Sequence, residues 1–139
     1  MNDRARLEQT IENLRTALMI RPNDAFKRNQ LGVAYRNIGE TDKAIAEHRR
    51  AIGIDPNFAD AHYNLALAHV SREDWPPAVD ALKDATRIKP EFAEAHYKLG
   101  QCLAKQKRFA EASTAYKTAL KLKPDFTAAV AEVGVVHVQ

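Results

Sequence analysis

The stretch Lys89–Gly100 reads KPEFAEAHYKLG, and Asp55–Ala66, 34 residues earlier, reads DPNFADAHYNLA. Thirty-four residues later, Lys123–Gly134 reads KPDFTAAVAEVG. Prolines keep the same ruler: Pro22, Pro56, Pro90 and Pro124 stand 34 residues apart, each after an apolar helical turn (ALMIRP, AIGIDP, ATRIKP, ALKLKP). Proline cannot continue a helix, so it punctuates each unit. A fixed period of this size marks a stacked repeat array. Full units fall at 25–58, 59–92 and 93–126 of one domain spanning 1–139.

Each unit carries two helical patterns. In the second, Ala61, Leu65, Ala68 and His69 share one face, and Ala78, Leu82 and Ala85 share another. Small residues at fixed points let the two helices approach closely. Asn57 is expected to cap the first helix with Asp60 as its capping-box partner, and Thr41 to cap the second helix of the first unit. NIGE makes the inter-helix turn of the first unit, and SRED that of the second. Pro76 and Pro77 fall in a first helical turn, where a missing N–H costs little.

Composition agrees with helix. The 139 residues hold five glycines, and alanine is abundant. The net charge of +3 does not by itself indicate nucleic acid. The basic residues are scattered with no stacking platform beside them, which argues against RNA. A single cysteine, Cys102, excludes an internal disulfide and fits a reducing compartment. The opening MNDRARLEQTIENLRTALMI is charged throughout, unlike a signal peptide or a membrane span. A cytoplasmic protein without membrane contact is the expectation.

Laid on this period, the residues resemble the tetratricopeptide repeat (TPR) family. The first unit supplies Leu31-Gly32, Tyr35, Ala44, Ala51 and Pro56; the second Leu65-Ala66, Ala78, Ala85 and Pro90; the third Leu99-Gly100, Ala112, Tyr116, Ala119 and Pro124. Arg28 stands where the family has a bulky apolar residue, His69 replaces its tyrosine, and Glu73 and Lys107 replace its turn glycine. These departures suggest local strain or polarity within the same fold. The resemblance implies an all-α, right-handed solenoid of antiparallel helix pairs, expected as seven helices.

The ends match half-units. Residues 1–24 carry only a second-helix pattern, with Leu7, Ile11 and Leu14, and residues 127–139 only a first-helix pattern, with Val130, Val133 and Val136. Repeat arrays normally end in polar caps. Two readings stand together: a segment cut from a longer array, or head-to-tail self-association in which the two half-units complete a repeat.

The five histidines give no catalytic or metal pattern. His62 and His96 share one repeat position, His69 and His137 another, and His48 stands where an aromatic is expected. They read as packing residues, with no HExxH motif or acidic cluster beside them. Cys102 aligns with Ala34 and Ala68, as a small buried hydrophobe. The chain is read as non-catalytic, with no metal and no cofactor.

The resemblance further implies a concave groove lined by the first helices, holding a partner peptide or helix. Its inward positions put Asn29, Gln30, Val33 and Arg36 in the first unit, Tyr63, Asn64 and Leu67 in the second, and Tyr97, Lys98, Gln101 and Lys105 in the third. Of the five residues of the family's clamp for chaperone tails, only Asn64 and Lys98 match; Asn29, Val33 and Glu94 occupy the other places. The asparagine ladder of sugar-transferring arrays is absent, its position reading Gln30, Asn64, Lys98, Glu132. Residues 83–123 hold ten Lys/Arg against four Asp/Glu, so an acidic partner near the third unit is the favoured charge. Part of that bias suits helix C-termini, where lysine complements the dipole.

Overall fold

The computed structural model describes residues 2–126. They form seven helices: α1 (Asp3–Ile20), α2 (Ala25–Asn37), α3 (Thr41–Ile54), α4 (Ala59–Ser71), α5 (Trp75–Ile88), α6 (Ala93–Lys105) and α7 (Phe109–Leu122). First helices begin at 25, 59 and 93, and second helices at 41, 75 and 109, each series on the 34-residue step. The expected seven is reached by α1 and three pairs. The half-unit over 127–139, with Val130, Val133 and Val136, lies outside the described residues.

Neighbours along the chain pack pairwise. Within a pair, helices meet over alanines: Ala44, Ala51, Ala61, Ala68, Ala78, Ala85, Ala112 and Ala119 are fully buried. At one recurring crossing a large side chain presses on a small one. An ideal Cβ on Gly100 would stand 2.6 Å from the Tyr116 ring, and one on Gly32 2.5 Å from the His48 ring. Glycine is used there for close approach. In the second unit the pair is Ala66 and Leu82, both fully buried.

The tight turn between paired helices puts one residue in the left-handed region. Gly39 takes φ 87°, and Glu73 and Lys107 take 55° and 61° at the equivalent positions. A Cβ makes that conformation costly, which locates the strain expected at these two replacements. The turn is closed by backbone bonds such as Glu40 N–H to Tyr35 C=O at 2.8 Å, repeated by Asp74 to His69 at 3.0 Å and Arg108 to Leu103 at 2.9 Å.

Two expected caps are corrected. The N-cap of α4 is Phe58, without a side-chain bond; Asn57 instead gives its N–H to Asp55 Oδ1 at 3.1 Å. The preceding turn, with Phe58 N–H on Asp55 C=O, fixes the chain before the helix and places Asn57 outside it. Thr41 is the first residue of α3, and Glu40 holds the cap position, again without a side-chain bond. Side-chain caps occur at two other helices: Asn2 accepts from Ala5 N–H at 2.7 Å, and Asp24 from Lys27 N–H at 3.0 Å. Pro76 and Pro77 do occupy the first turn of α5.

Arg28 does what the histidines do. Its Nε donates to the Pro22 carbonyl at 3.0 Å. His62 Nε2 donates to the Pro56 carbonyl and His96 Nε2 to the Pro90 carbonyl, each at 2.9 Å. A carbonyl only accepts, so both rings carry their proton on Nε2. Each bond clasps the end of one unit to the first helix of the next. Arg28 also pairs with buried Glu47 at 3.1 Å, and Arg50 shares that carboxylate.

Candidate binding groove

α2, α4 and α6 are the first helices of the three units, and their inward residues form one face. α2 and α4 join directly: Asn64 Nδ2 donates to Asn29 Oδ1 at 3.1 Å. Asn29 is buried, and this bond takes its carbonyl oxygen. Tyr63 lies 4.8 Å from Phe92, centroid to centroid, and Tyr97 lies 4.8 Å from Phe126 and 5.8 Å from Tyr116. The two tyrosines are therefore half-buried and braced by the phenylalanine that closes their own unit. Gln101 Nε2 donates to the Tyr97 hydroxyl at 2.9 Å. Burial raises the Tyr63 pKa, the Glu94 charge adds to it, and Arg36 opposes it; the phenol stays neutral.

Two clefts open on this face, at equivalent places two units apart. The first, about 330 Å³, lies between α1 and α2 and is lined by Leu7, Leu14, Asn29, Gln30, Val33 and Asn37 among others. The second, about 240 Å³, is lined by Val70, Trp75, Lys98, Gln101, Cys102 and Lys105. On the 34-residue step, Leu7 corresponds to Trp75, Gln30 to Lys98, Val33 to Gln101 and Asn37 to Lys105. Arg36 stands in the first unit where the second has Val70. Its Nε is buried without a hydrogen-bond partner among the described residues.

The structure thus groups the expected residues unevenly. Gln30 and Val33 line the first cleft and Lys98, Gln101 and Lys105 the second, while Leu67 is half-buried on α4. Leu7 and Leu14 face the first cleft. Ile11 does not: it is buried with Leu18, Leu31 and Ala34 in the α1–α2 core. Residues 7, 11, 14 and 18 share one face of α1; Ile11 and Leu18 are its buried part, and Leu14 packs against them while bordering the cleft. Trp75 was not among the first-helix positions because it starts a second helix. Its signal was its equivalence to Leu7.

Cys102 and His48 are packed inside the helix pairs. Cys102 is 1% exposed, and burial pushes its thiol up to about 11, against a smaller opposing effect of Lys98. A thiol held so high is almost wholly protonated near neutrality. Among the described residues no group of three or more His, Cys, Asp or Glu is placed to hold a metal ion. His48 is fully buried with neither ring nitrogen bonded among the described residues, its pKa lowered to about 4 by burial and then by Arg36. No helix among the described residues is long and apolar enough to cross a membrane.

The tetratricopeptide repeat family profile matches residues 63–126, and a second TPR repeat profile matches 32–72. No curated protein matches the sequence. The crystal structure of MamA superposes with a TM-score of 0.88 at 26% identity, over 99% of this chain and 84% of that one. The first TPR of Spaghetti (RPAP3), bound to the HSP90 peptide SRMEEVD, gives 0.79 at 21% identity, over 81% and 90%. The Arabidopsis OM64 TPR domain gives 0.77 at 20%, over 81% and 93%. The last two speak for the fold.

Proposed function

This chain belongs to the tetratricopeptide repeat family, and from that premise we propose that it is a non-catalytic interaction module whose concave groove holds an extended segment or helix of a partner protein. The observation that carries this reading is the pair of equivalent open clefts on the face of α2, α4 and α6. Between them run amide side chains suited to a peptide backbone and tyrosines held rigid by their neighbours, which lowers the entropy lost on binding. The Spaghetti domain with its HSP90 peptide supports the mode by analogy of fold. The test is site-directed photo-crosslinking in the source extract. A crosslinker at Gln101 or Gln30 should yield discrete adducts, and one at exposed Lys117 on α7 should not. Equal labelling at all three sites would sink the groove reading.

A second reading has its own observation. The equivalent cleft of the third unit is bordered by Val70 on the preceding first helix α4, the α1–α2 cleft with Leu7 and Leu14 has no such border among the described residues, and 127–139 carries a first-helix pattern. Head-to-tail assembly would set that segment of one copy beside α1 of the next, at the border of this cleft. Light scattering should then show mass climbing above 15.6 kDa with concentration. Leu14→Glu, or polar replacement of Val133 and Val136, should abolish the climb. A constant mass rejects it.

A further inference from the structure

The two clefts share a frame and differ in charge. At the rim positions the first has Gln30 and Asn37 and the second has Lys98 and Lys105; the equivalent residues between them are Asn64 and Ser71. Cations in the equivalent rim positions are therefore confined to the third unit. They are also unspent. Glu94, one turn before Lys98, pairs with Lys123 at 3.6 Å, and Arg108 takes Glu111 at 2.8 Å. Among the described residues no carboxylate pairs with Lys98 or Lys105. Between the lysines the cleft is lined by Trp75, Val70 and the protonated thiol of Cys102, with Lys105 Nζ 5.8 Å from the Trp75 ring centroid.

Lys98 and Lys105 stand two helical turns apart, about 10 Å along the axis. One carboxylate cannot reach both at ion-pair distance while filling the cleft. Alternate residues of an extended chain face one side, and four residues of rise cover about 13 Å. Flexible lysine side chains absorb the difference. We propose that this cleft takes an extended acidic–x–apolar–x–acidic segment of a partner protein, the apolar side chain resting on Trp75 and Val70 and the carboxylates meeting Lys98 and Lys105. The assignment rests on the groove reading and specifies the chemistry of its ligand. Because the charges sit at an open rim, they steer and orient the ligand, and binding weakens with salt.

The test uses the full chain and a displayed library of random heptapeptides, with selected peptides resynthesised and titrated. Trp75 is the only tryptophan, so its emission reports this cleft alone. Selected peptides should carry two acidic residues bracketing an aliphatic or aromatic one and shift Trp75 emission. They should lose at least tenfold in affinity to the Lys98→Glu, Lys105→Glu double variant, while Lys98→Arg, Lys105→Arg retains binding; unchanged helical circular dichroism confirms that each variant is folded. Peptides that bind without acidic residues, or that leave Trp75 emission unchanged, overturn this assignment and leave the groove reading standing if a crosslinker at Gln30 or Gln101 captures them. A library that yields no binder overturns both.

Discussion

The first and third units place helices of equal length on the same 34-residue step, yet fill the spaces between them with different chemistry. Where the third unit presses Tyr116 on Gly100, the first presses His48 on Gly32. Where the third has Ala115, the first has buried Glu47 held by Arg28 and Arg50. Where the third opens a basic cleft over Trp75, the first opens a neutral one over Leu7 and Leu14. The backbone period is set by small residues, turns and prolines. The occupants of the positions between are free to change, provided the space is filled and each buried charge is paired.

The sharpest way to break the comparison is to empty its two equivalent positions. Tyr116→Ala should cost about 4 kcal/mol, because a fully buried aromatic leaves a cavity. His48→Ala should cost clearly less, since it also removes two buried ring nitrogens that lack partners among the described residues. Urea midpoints of the two variants test this; equal losses would mean that the two positions are energetically alike.

The ionic solution of the first unit should be separable from its frame. Glu47→Ala alone strands Arg28 and should cost about 3 kcal/mol. Combining it with Arg28→His installs the residues found in the third unit and should return stability to within about 1 kcal/mol of the parent, because histidine keeps the bond to the Pro22 carbonyl. A double variant no better than the single would refute the equivalence of the two units.

Acid should divide the units. The His48 pKa is about 4 when folded against 6.5 for the free side chain. The folded state then binds fewer protons between these values. Stability is full above 6.5, falls as pH drops toward 4, and levels off below, a loss of about 3 kcal/mol from this group. His48→Phe should flatten that slope. In a repeat array each unit contacts only its neighbours, so amide exchange at pH 5 should quicken in α2 and α3 before α6 and α7. Uniform acceleration would contradict it.

The smallest effect lies in the turns. Glu73→Gly or Lys107→Gly relieves a positive φ that Gly39 adopts freely. Part of the gain is returned as entropy of the unfolded chain. A net stabilisation of about 0.5 kcal/mol per site is expected by denaturant titration.

The period, the helix pairs and the turn positions were legible because they depend on residues that recur: proline, small residues, the turn glycine and its replacements. The caps at Asn57 and Thr41 were misread because each falls one residue off the cap position, Asn57 before Phe58 and Thr41 after Glu40, a shift that side-chain type does not reveal. The inward burial of Ile11 depended on how α1 rotates against α2. Trp75 lines the second cleft from a second helix, so first-helix positions alone could not find it. Arg28 looked like a departure from the pattern, although it presents the same donor as the histidines.

That shared donor gives the solenoid an adjustable spring. Each joint is held by one side-chain N–H reaching back six residues to a proline carbonyl, by Arg28, His62 and His96 in turn. The joints are alike in geometry but independent in sequence. A change at His62 alone would loosen the pitch at that joint while its neighbours stay wound, so the spacing of the two clefts, and with it the length of ligand that spans them, is tunable one residue at a time.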